Sequence, residues 1–255
     1  MSWKDGQAAV VVLARGGSKG VPGKNWASVG GRPCAAWTLD AALASARAGV
    51  VAVSTDDARV SEIAHDMGAE LVYRPAELAT DAARVDDALR HAVLELESRG
   101  RIPAEETTPI VMLYANVPVR PAGLIDEAVA LLVSSGADSV QSYQPVGKHH
   151  PWWTCAVTAE GRVGAWDGGE MFNGCFRRQD LPPAHIPDGA VTVVTRRALF
   201  GRVPGVAAGP HAFLGARRRA VVNPEGSVVD IDTALDLRVA DAVLRERSGQ
   251  ERAIA

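Results

Sequence analysis

The sequence has few cysteines, no long basic run and no long apolar run. Its three cysteines, Cys34, Cys155 and Cys175, are odd in number and widely spaced, which matches no zinc motif and is typical of buried free thiols in a reducing cytoplasm. The net charge is −3 and the longest basic run is 217–219, so a nucleic-acid-binding role is not expected. The apolar run 8–14 is too short to cross a bilayer, and no signal peptide is visible. These absences predict a cytoplasmic protein that binds neither nucleic acid nor a membrane.

The rest of the composition is that of an ordinary globular protein. The chain has 255 residues, of which 47% are hydrophobic and 22% are charged. That is enough to bury the core of one large α/β domain without disulfides or metals. We therefore expect a single domain over residues 1–255.

Short apolar runs alternate with amphipathic segments of helical length along most of the chain. The expected strands are 8–14, 50–54, 110–113, 139–143, 190–195 and 218–222. The expected helices are 33–46, 56–67, 83–97, 122–134 and 232–247. This alternation predicts a doubly wound, mostly parallel, Rossmann-like α/β sheet whose ligands lie beyond the carboxyl ends of the strands.

One segment, 144–187, breaks this rhythm. It is rich in tryptophan, glycine and proline and has no helical period, which predicts an insertion of loops and short antiparallel strands over the active face. Within it, His149 and His150 are adjacent and point apart in most conformations, which favours polar loop contacts over a metal pair. Trp152 and Trp153 suit either a core position or a lid over the ligand.

The segment Leu13–Asn25, Leu-Ala-Arg-Gly-Gly-Ser-Lys-Gly-Val-Pro-Gly-Lys-Asn, follows the first expected strand. Its glycines let the backbone turn sharply and bring N–H groups close to an anion. Arg15, Lys19 and Lys24 add three positive charges, which suit several adjacent phosphates. A Walker loop is excluded because Ser18 stands where that motif needs a glycine, and the dinucleotide fingerprint is not met. A solvated surface turn is the alternative, which the position after a buried strand disfavours.

This segment resembles the signature loop of the acylneuraminate cytidylyltransferases, the CMP-sialic acid synthetase family, which is A-R-G-G-S-K-G-[IV]-P-G-K-N. Four later segments resemble motifs of that family in the same order: 54–57 (S-T-D-D), 74–81 (R-P-x-E-L-A-x-D), 178–182 (R-Q-D-L-P) and 230–233 (D-I-D-T). The resemblance therefore covers most of the chain. In the first of these motifs we expect a structural role, since Asp56 or Asp57 can cap the next helix.

The resemblance implies a nucleotidyltransferase that transfers CMP from CTP to a sugar-acid acceptor of the nonulosonic type and releases pyrophosphate. Positioning and charge neutralisation should dominate such a displacement. It also implies Mg²⁺ as the cofactor and a homodimer formed through segment 144–187. The implied catalytic residues are Arg15, Lys24 and Asp232. The implied nucleotide-binding residues are Leu13, Ala14, Arg15, Gly16, Gly17, Lys19, Lys24, Asn25, Arg74 and Ala82.

Asp230 and Asp232 carry a chemical argument of their own. Carboxylates at i and i+2 of an extended segment share one face, and two of them can hold one Mg²⁺ together with water and phosphate oxygens. The alternative is that Asp232 simply caps the last helix. The segment Leu13–Asn25, called the phosphate loop from here on, makes us favour metal binding over this alternative.

The acceptor side departs from the family pattern. Tyr114 stands in place of a glutamine associated with the sugar, and Asp188 replaces the asparagine of N-G-A. Trp153 and Ile186 lie where basic side chains are common, and Thr192 where an aromatic is common. The expected acceptor-binding residues are Tyr114, Asn116, Arg120, Lys148, Trp153, Arg178, Gln179 and Asp188.

Three interpretations of the function follow. The first is CMP transfer to a nonulosonic acid. The second is the same transfer to another acceptor, such as an amino- or hydroxy-phosphonate or a secondary-metabolite polyol. The third is a catalytically silent nucleotide-binding relative, which the presence of Asp230, Asp232, Arg15 and Lys24 disfavours.

Overall fold

A seven-stranded sheet forms the centre of the protein, for which the computed structural model describes residues 3–4 and 6–254. The strands are Ala8–Ala14 (β1), Ser28–Val29 (β2), Arg32–Pro33 (β3), Ala48–Thr55 (β4), Glu70–Tyr73 (β5), Pro109–Tyr114 (β6), Ser139–Pro145 (β7), Cys155–Val157 (β8), Val163–Ala165 (β9), His185–Thr195 (β10) and Arg218–Val222 (β11). The helices are Cys34–Leu43 (α1), Ala58–Asp66 (α2), Val85–Ser98 (α3), Leu124–Ser135 (α4), Arg196–Leu199 (α5) and Ala234–Ile254 (α6).

The order of the strands in the central sheet is β11-β7-β10-β6-β1-β4-β5. β1 is parallel to β4 and β6, and β5 and β11 also pair in parallel with their neighbours. β10 is antiparallel to both β6 and β7. The prediction of a mostly parallel α/β sheet is therefore confirmed. All six expected strands form, whereas the four-residue β5 was missed because its apolar run is too short to stand out.

Both faces of the sheet are buried, which is why the central strands are continuously apolar. Every residue of β1 is buried. Val10 and Val12 pack with α1, α2 and α4 on one face, and Val11 packs with α3 on the other. The carboxyl ends of β1, β4 and β6 are thus held on a rigid core.

Helix termini agree with the capping residues in the sequence. The Asp57 carboxylate accepts hydrogen bonds from the Arg59 and Val60 N–H groups, so it caps α2 as expected. Gly68 and Gly136 follow α2 and α4 with left-handed φ angles of +75° and +59°.

The segment 144–187 begins and ends in the central sheet, where His185 pairs with Pro145. Between these strands lie the short antiparallel ribbon β8–β9 and several 3₁₀ turns. His150 is buried and bonds to the Pro182 carbonyl and the Trp152 N–H, as a polar loop residue would. In the described part of the chain, no helix is both long enough and apolar enough to span a membrane.

Candidate active site

A cavity of about 590 Å³ opens beyond the carboxyl ends of β1 and β6. Many of the residues that the sequence proposes for the site line it together. They are Leu13, Arg15, Lys19, Lys24, Asn25, Arg74, Tyr114, Asn116, Asp230 and Asp232. Residues more than 200 positions apart in the chain thus share one cavity, because the phosphate loop and the segment before α6 meet there.

The three cations of the phosphate loop are all paired with carboxylates. Arg15 Nη1 and Lys19 Nζ each lie 2.6 Å from an oxygen of Asp81. Lys24 Nζ lies 2.8 Å from Asp232 Oδ1. The cationic donors of the loop therefore bond to the carboxylates of Asp81 and Asp232. Phosphate oxygens are suitable acceptors for the same donors.

Hydrogen bonds to the backbone of the phosphate loop fix its shape. Asn25 is buried and donates from Nδ2 to the Arg15 carbonyl over 2.9 Å. Gly16 N–H donates to Asp56 Oδ1 over 2.8 Å, so this N–H is engaged by the protein. The expected nucleotide contacts Ala14, Gly16, Gly17 and Ala82 adjoin the cavity along the chain but do not line it.

Arg74 is anchored inside the protein. Its guanidinium donates to the carbonyl and the hydroxyl of Ser54, at 2.8 and 3.1 Å. Burial lowers the pKa of Arg74 to about 10, an effect that Asp56 opposes. The side chain thus reaches the cavity wall from a fixed position and stays charged at neutral pH.

Asp230 and Asp232 have different surroundings. Asp230 is half-buried and accepts a hydrogen bond from Asn116 Nδ2. Burial, and next the charge of Asp232, raise the pKa of Asp230 to about 6. Asp232 is open to solvent, with 71% of its side chain exposed.

The helix that follows is capped by other residues. Thr233 Oγ1 accepts from the Asp236 N–H over 3.2 Å, and Asp236 Oδ2 accepts from the Thr233 N–H over 2.7 Å. The Asp232 carboxylate is therefore not the cap of α6, and this alternative is wrong. Its oxygens face Lys24 and the cavity instead.

The expected acceptor residues are not brought together. Tyr114 and Asn116 line the cavity, whereas Asp188 is buried and does not line it. The Asp188 carboxylate accepts from Ser142 Oγ, Asn223 Nδ2 and the Ala190 N–H. Both oxygens of Asp188 are therefore used by these donors. The residue has a structural role, since it links β10 to Ser142 of β7 and to Asn223.

Arg120 is also buried, and burial lowers its pKa to about 10. One of its nitrogens bonds to the Val117 carbonyl. Lys148, Trp153, Arg178 and Gln179 lie in the inserted segment and do not line the cavity of this single chain. Arg178 pairs instead with Glu225 at 3.3 Å.

The cavity includes a stretch that the sequence argument did not assign. Asp81, Thr80 and Arg84 line it, together with Ser18 and Gly20 of the phosphate loop. A signal was present, since Asp81 ends the R-P-x-E-L-A-x-D motif. It could have been found by asking which carboxylate pairs with the loop cations.

Comparison with known proteins identifies related sequences. A family model described as cytidylyltransferase matches residues 9–151. N-acylneuraminate cytidylyltransferase of Streptococcus agalactiae serotype V is 33% identical over 89% of this chain, and the chain spans only 50% of that relative's length. CMP-N,N'-diacetyllegionaminic acid synthase of Legionella pneumophila is 25% identical, over 92% of this chain and 94% of its own.

The fold has solved counterparts. CMP:2-keto-3-deoxy-manno-octonic acid synthetase, solved in complex with CTP, superposes with a TM-score of 0.65 at 16% identity, over 94% of this chain and 99% of its own. This likeness concerns the fold, while the family match rests on sequence. The chain belongs to the cytidylyltransferase family.

Proposed function

We propose that this protein transfers CMP from CTP to a sugar-acid acceptor of the nonulosonic type and releases pyrophosphate. One observation carries the proposal: the cationic phosphate loop and the Asp230–Asp232 pair line the same cavity. A nucleotidyl transfer needs these two features side by side, because charge moves from the attacked α-phosphate to the leaving pyrophosphate.

Different residues of the cavity have different roles in the proposed transfer. Arg15, Lys19 and Lys24 bind the phosphates and neutralise the charge that develops on the leaving group. Asn25 keeps the loop in shape through the Arg15 carbonyl. Arg74 borders the nucleotide from its anchored position.

Mg²⁺ is part of the proposal. Asp230 and Asp232 offer hard oxygen ligands of the kind Mg²⁺ prefers, and both carboxylates line the cavity beside the cations of the phosphate loop. In the described residues no group of three or more His, Cys, Asp or Glu could hold a metal, so water and phosphate oxygens would complete the shell. When bound, the ion would neutralise phosphate charge and lower the pKa of the acceptor hydroxyl.

A second candidate keeps the reaction and changes the acceptor. Tyr114 and Asn116 face the cavity where a carboxylated sugar would call for cations. This favours an acceptor that meets Tyr114 and Asn116 through hydroxyl or amine groups, whether it is a modified nonulosonic acid, an aminophosphonate or a polyol.

A homodimer is also proposed, through segment 144–187. Its side chains include the exposed Trp166 and Phe176, at 71% and 85%, which a second copy would cover. The reducing cytoplasm remains the proposed compartment, which three free thiols favour.

A pyrophosphate-release assay tests the function. The protein is incubated with MgCl₂, each of the four NTPs and a panel containing N-acetylneuraminic acid, other nonulosonic acids and an aminophosphonate. We expect release with CTP and a nonulosonic acid. Release with another acceptor alone would favour the second candidate. Tight CTP binding without turnover on any acceptor would indicate a catalytically silent relative and contradict the proposal.

A further inference from the structure

Asp81 is an anion built into the phosphate site. Its Oδ1 lies 2.6 Å from Arg15 Nη1 and its Oδ2 lies 2.6 Å from Lys19 Nζ. One carboxylate therefore bridges two of the three cations that the phosphate loop supplies. All three side chains line the same cavity.

The Asp81 carboxylate bonds to cationic groups of Arg15 and Lys19 that a polyphosphate would also use. The Lys19 and Arg15 hydrogen bonds hold the pKa of the Asp81 carboxyl below its usual range, so the group is ionised at neutral pH. Arginine and lysine donors that bond to a carboxylate cannot at the same time give those bonds to phosphate oxygens. A bound triphosphate that takes the same donors, Arg15 Nη1 and Lys19 Nζ, therefore competes with Asp81 for them.

The local structure allows this displacement. Asp81 lies between a 3₁₀ turn at Ala76–Leu78 and the start of α3 at Val85, outside any helix or strand. Its side chain is 43% exposed. In the described part of the chain, its carboxylate bonds to Arg15 and Lys19 alone, so no other hydrogen bond or ion pair of the carboxylate has to break when it moves away.

The strength of the bridge also suits a reversible contact. Ion pairs between exposed side chains are weak, because water screens both charges. Lys19 is 84% exposed and Arg15 is 36% exposed. A polyphosphate carries several negative charges and can contact both cations at once, so it competes effectively with the single carboxylate of Asp81.

We propose that Asp81 is an internal competitor for the phosphate-binding cations. Its carboxylate holds Arg15 and Lys19 in the empty protein, gives them up when a polyphosphate binds, and returns to them as pyrophosphate departs. No covalent bond is made or broken in this exchange. The inference rests on the proposed function only in naming CTP and pyrophosphate as the polyphosphates concerned.

Calorimetric titration of Asp81→Asn tests the exchange. Asparagine keeps the shape of the side chain and removes its charge. We expect pyrophosphate, inorganic triphosphate and CTP to bind about three- to tenfold more tightly than to the wild-type protein at fixed MgCl₂. Cytidine, which has no phosphate, should bind equally to both. Asp81→Glu restores the charge and should lie close to wild type.

Glu106→Gln is the matched control. Glu106 forms an exposed 2.6 Å pair with Arg202 and does not line the cavity, so its loss should leave every affinity unchanged. Unchanged or weaker binding of pyrophosphate to Asp81→Asn would overturn the proposal, and weaker binding would instead indicate that Asp81 helps to hold the ligand. Failure of the proposed function is distinguishable: CTP then binds no better than inorganic triphosphate, while the inorganic anions still report on Asp81.

Discussion

Lys24 joins the phosphate loop to Asp232, the open member of the acidic pair. Its Nζ lies 2.8 Å from Asp232 Oδ1 and 2.7 Å from the Ile231 carbonyl oxygen. The lysine side chain is only 14% exposed, whereas that of Asp232 is 71% exposed. The lysine end of this contact is thus largely buried and the carboxylate end is open to solvent, so the lysine also supports the structure, whereas the acid does not.

Asp232→Ala and Lys24→Met should therefore behave differently. We expect Asp232→Ala to lower kcat by about 10²- to 10³-fold or more, because a charged group at the reacting phosphates is lost. Its free energy of unfolding should stay within about 0.5 kcal/mol of wild type, as for other exposed substitutions. Lys24→Met should lose both activity and about 1–2 kcal/mol of stability, because the Ile231 carbonyl loses its donor.

Pyrophosphate release and urea unfolding measure the two effects. Wild-type release by Asp232→Ala would exclude the proposed metal role. Equal loss of stability in both variants would show that the pair is mainly structural.

Gly20 makes a second contact between the loop and Asp232. A Cβ at position 20 would lie 2.4 Å from the Asp232 carbonyl oxygen, which is backbone and cannot turn aside. We expect Gly20→Ala to lower the free energy of unfolding by about 1–3 kcal/mol, as overpacking does. Gly17→Ala is the matched control, since a Cβ there meets no atom within 4 Å. Similar urea midpoints for the two variants would contradict this account.

These contacts also show how far the sequence could predict the molecule. The buried strand β1 and its glycine-rich end are local features, so periodicity and turn chemistry predict them. The Asp57 cap is local too. By contrast, the pairing of Asp81 with Arg15 links residues 66 positions apart, and no local pattern encodes it.

The acceptor residues illustrate the other limit. Asp188 looks like an open acidic group in the sequence, but it is buried by Ser142 and Asn223 once β10 pairs with β7. Whether a side chain faces a cavity or a neighbouring strand depends on strand register. The register cannot be derived from the amino-acid sequence of one strand alone. That Arg15, Lys19 and Lys24 share one cavity was easier to predict, because all three lie on one continuous segment.

Asp138 should make the stability of the protein depend on pH. It is 1% exposed, and burial alone would raise its pKa, but bonds from the Arg217 N–H, the Arg197 guanidinium and the Ala216 N–H together lower it. A carboxyl whose folded pKa lies below the unfolded value of about 3.9 stabilises the fold above that pH, and this contribution is lost as pH falls through the folded pKa.

We expect Asp138→Asn to reduce the free energy of unfolding by about 2–4 kcal/mol at pH 7. The difference from wild type should shrink below about pH 4. Urea titrations between pH 3 and 7 would measure it. Asp40→Asn, which breaks only the exposed 2.6 Å pair with Arg32, is the control and should change stability by less than about 1 kcal/mol. A constant difference at every pH would contradict the assignment.

The proposed dimer can be tested on the exposed aromatic residues of segment 144–187. Phe176→Ser and Trp166→Ser each remove a large apolar group that solvent would otherwise contact. We expect each to shift the mass measured by light scattering toward that of a monomer, because aromatic anchors dominate interface energies. Leu94→Ser, on the outer face of α3 and 50% exposed, should leave the mass unchanged. A wild-type protein that is itself monomeric at high concentration would refute the dimer.

Tyr114 is the residue of the cavity that most directly separates the two proposed acceptors. It lies at the end of β6 beside Asp230, and burial, then the charge of Asp230, raise the pKa of its hydroxyl. It therefore stays neutral and offers one donor and a ring where the family pattern has an amide. Tyr114→Gln should raise kcat/KM for N-acetylneuraminic acid by about tenfold, because an amide can both donate to and accept from sugar hydroxyls.

The KM for CTP should change less than about twofold, since the substitution leaves the phosphate loop intact. Tyr73→Gln is the control, as Tyr73 is 71% exposed at the end of β5 and does not line the cavity. If Tyr114→Gln instead lowers kcat/KM for every acceptor without changing their order, the tyrosine supports catalysis and does not select the acceptor. If it raises the value for N-acetylneuraminic acid alone, the natural acceptor differs from that sugar where the ring of Tyr114 contacts it.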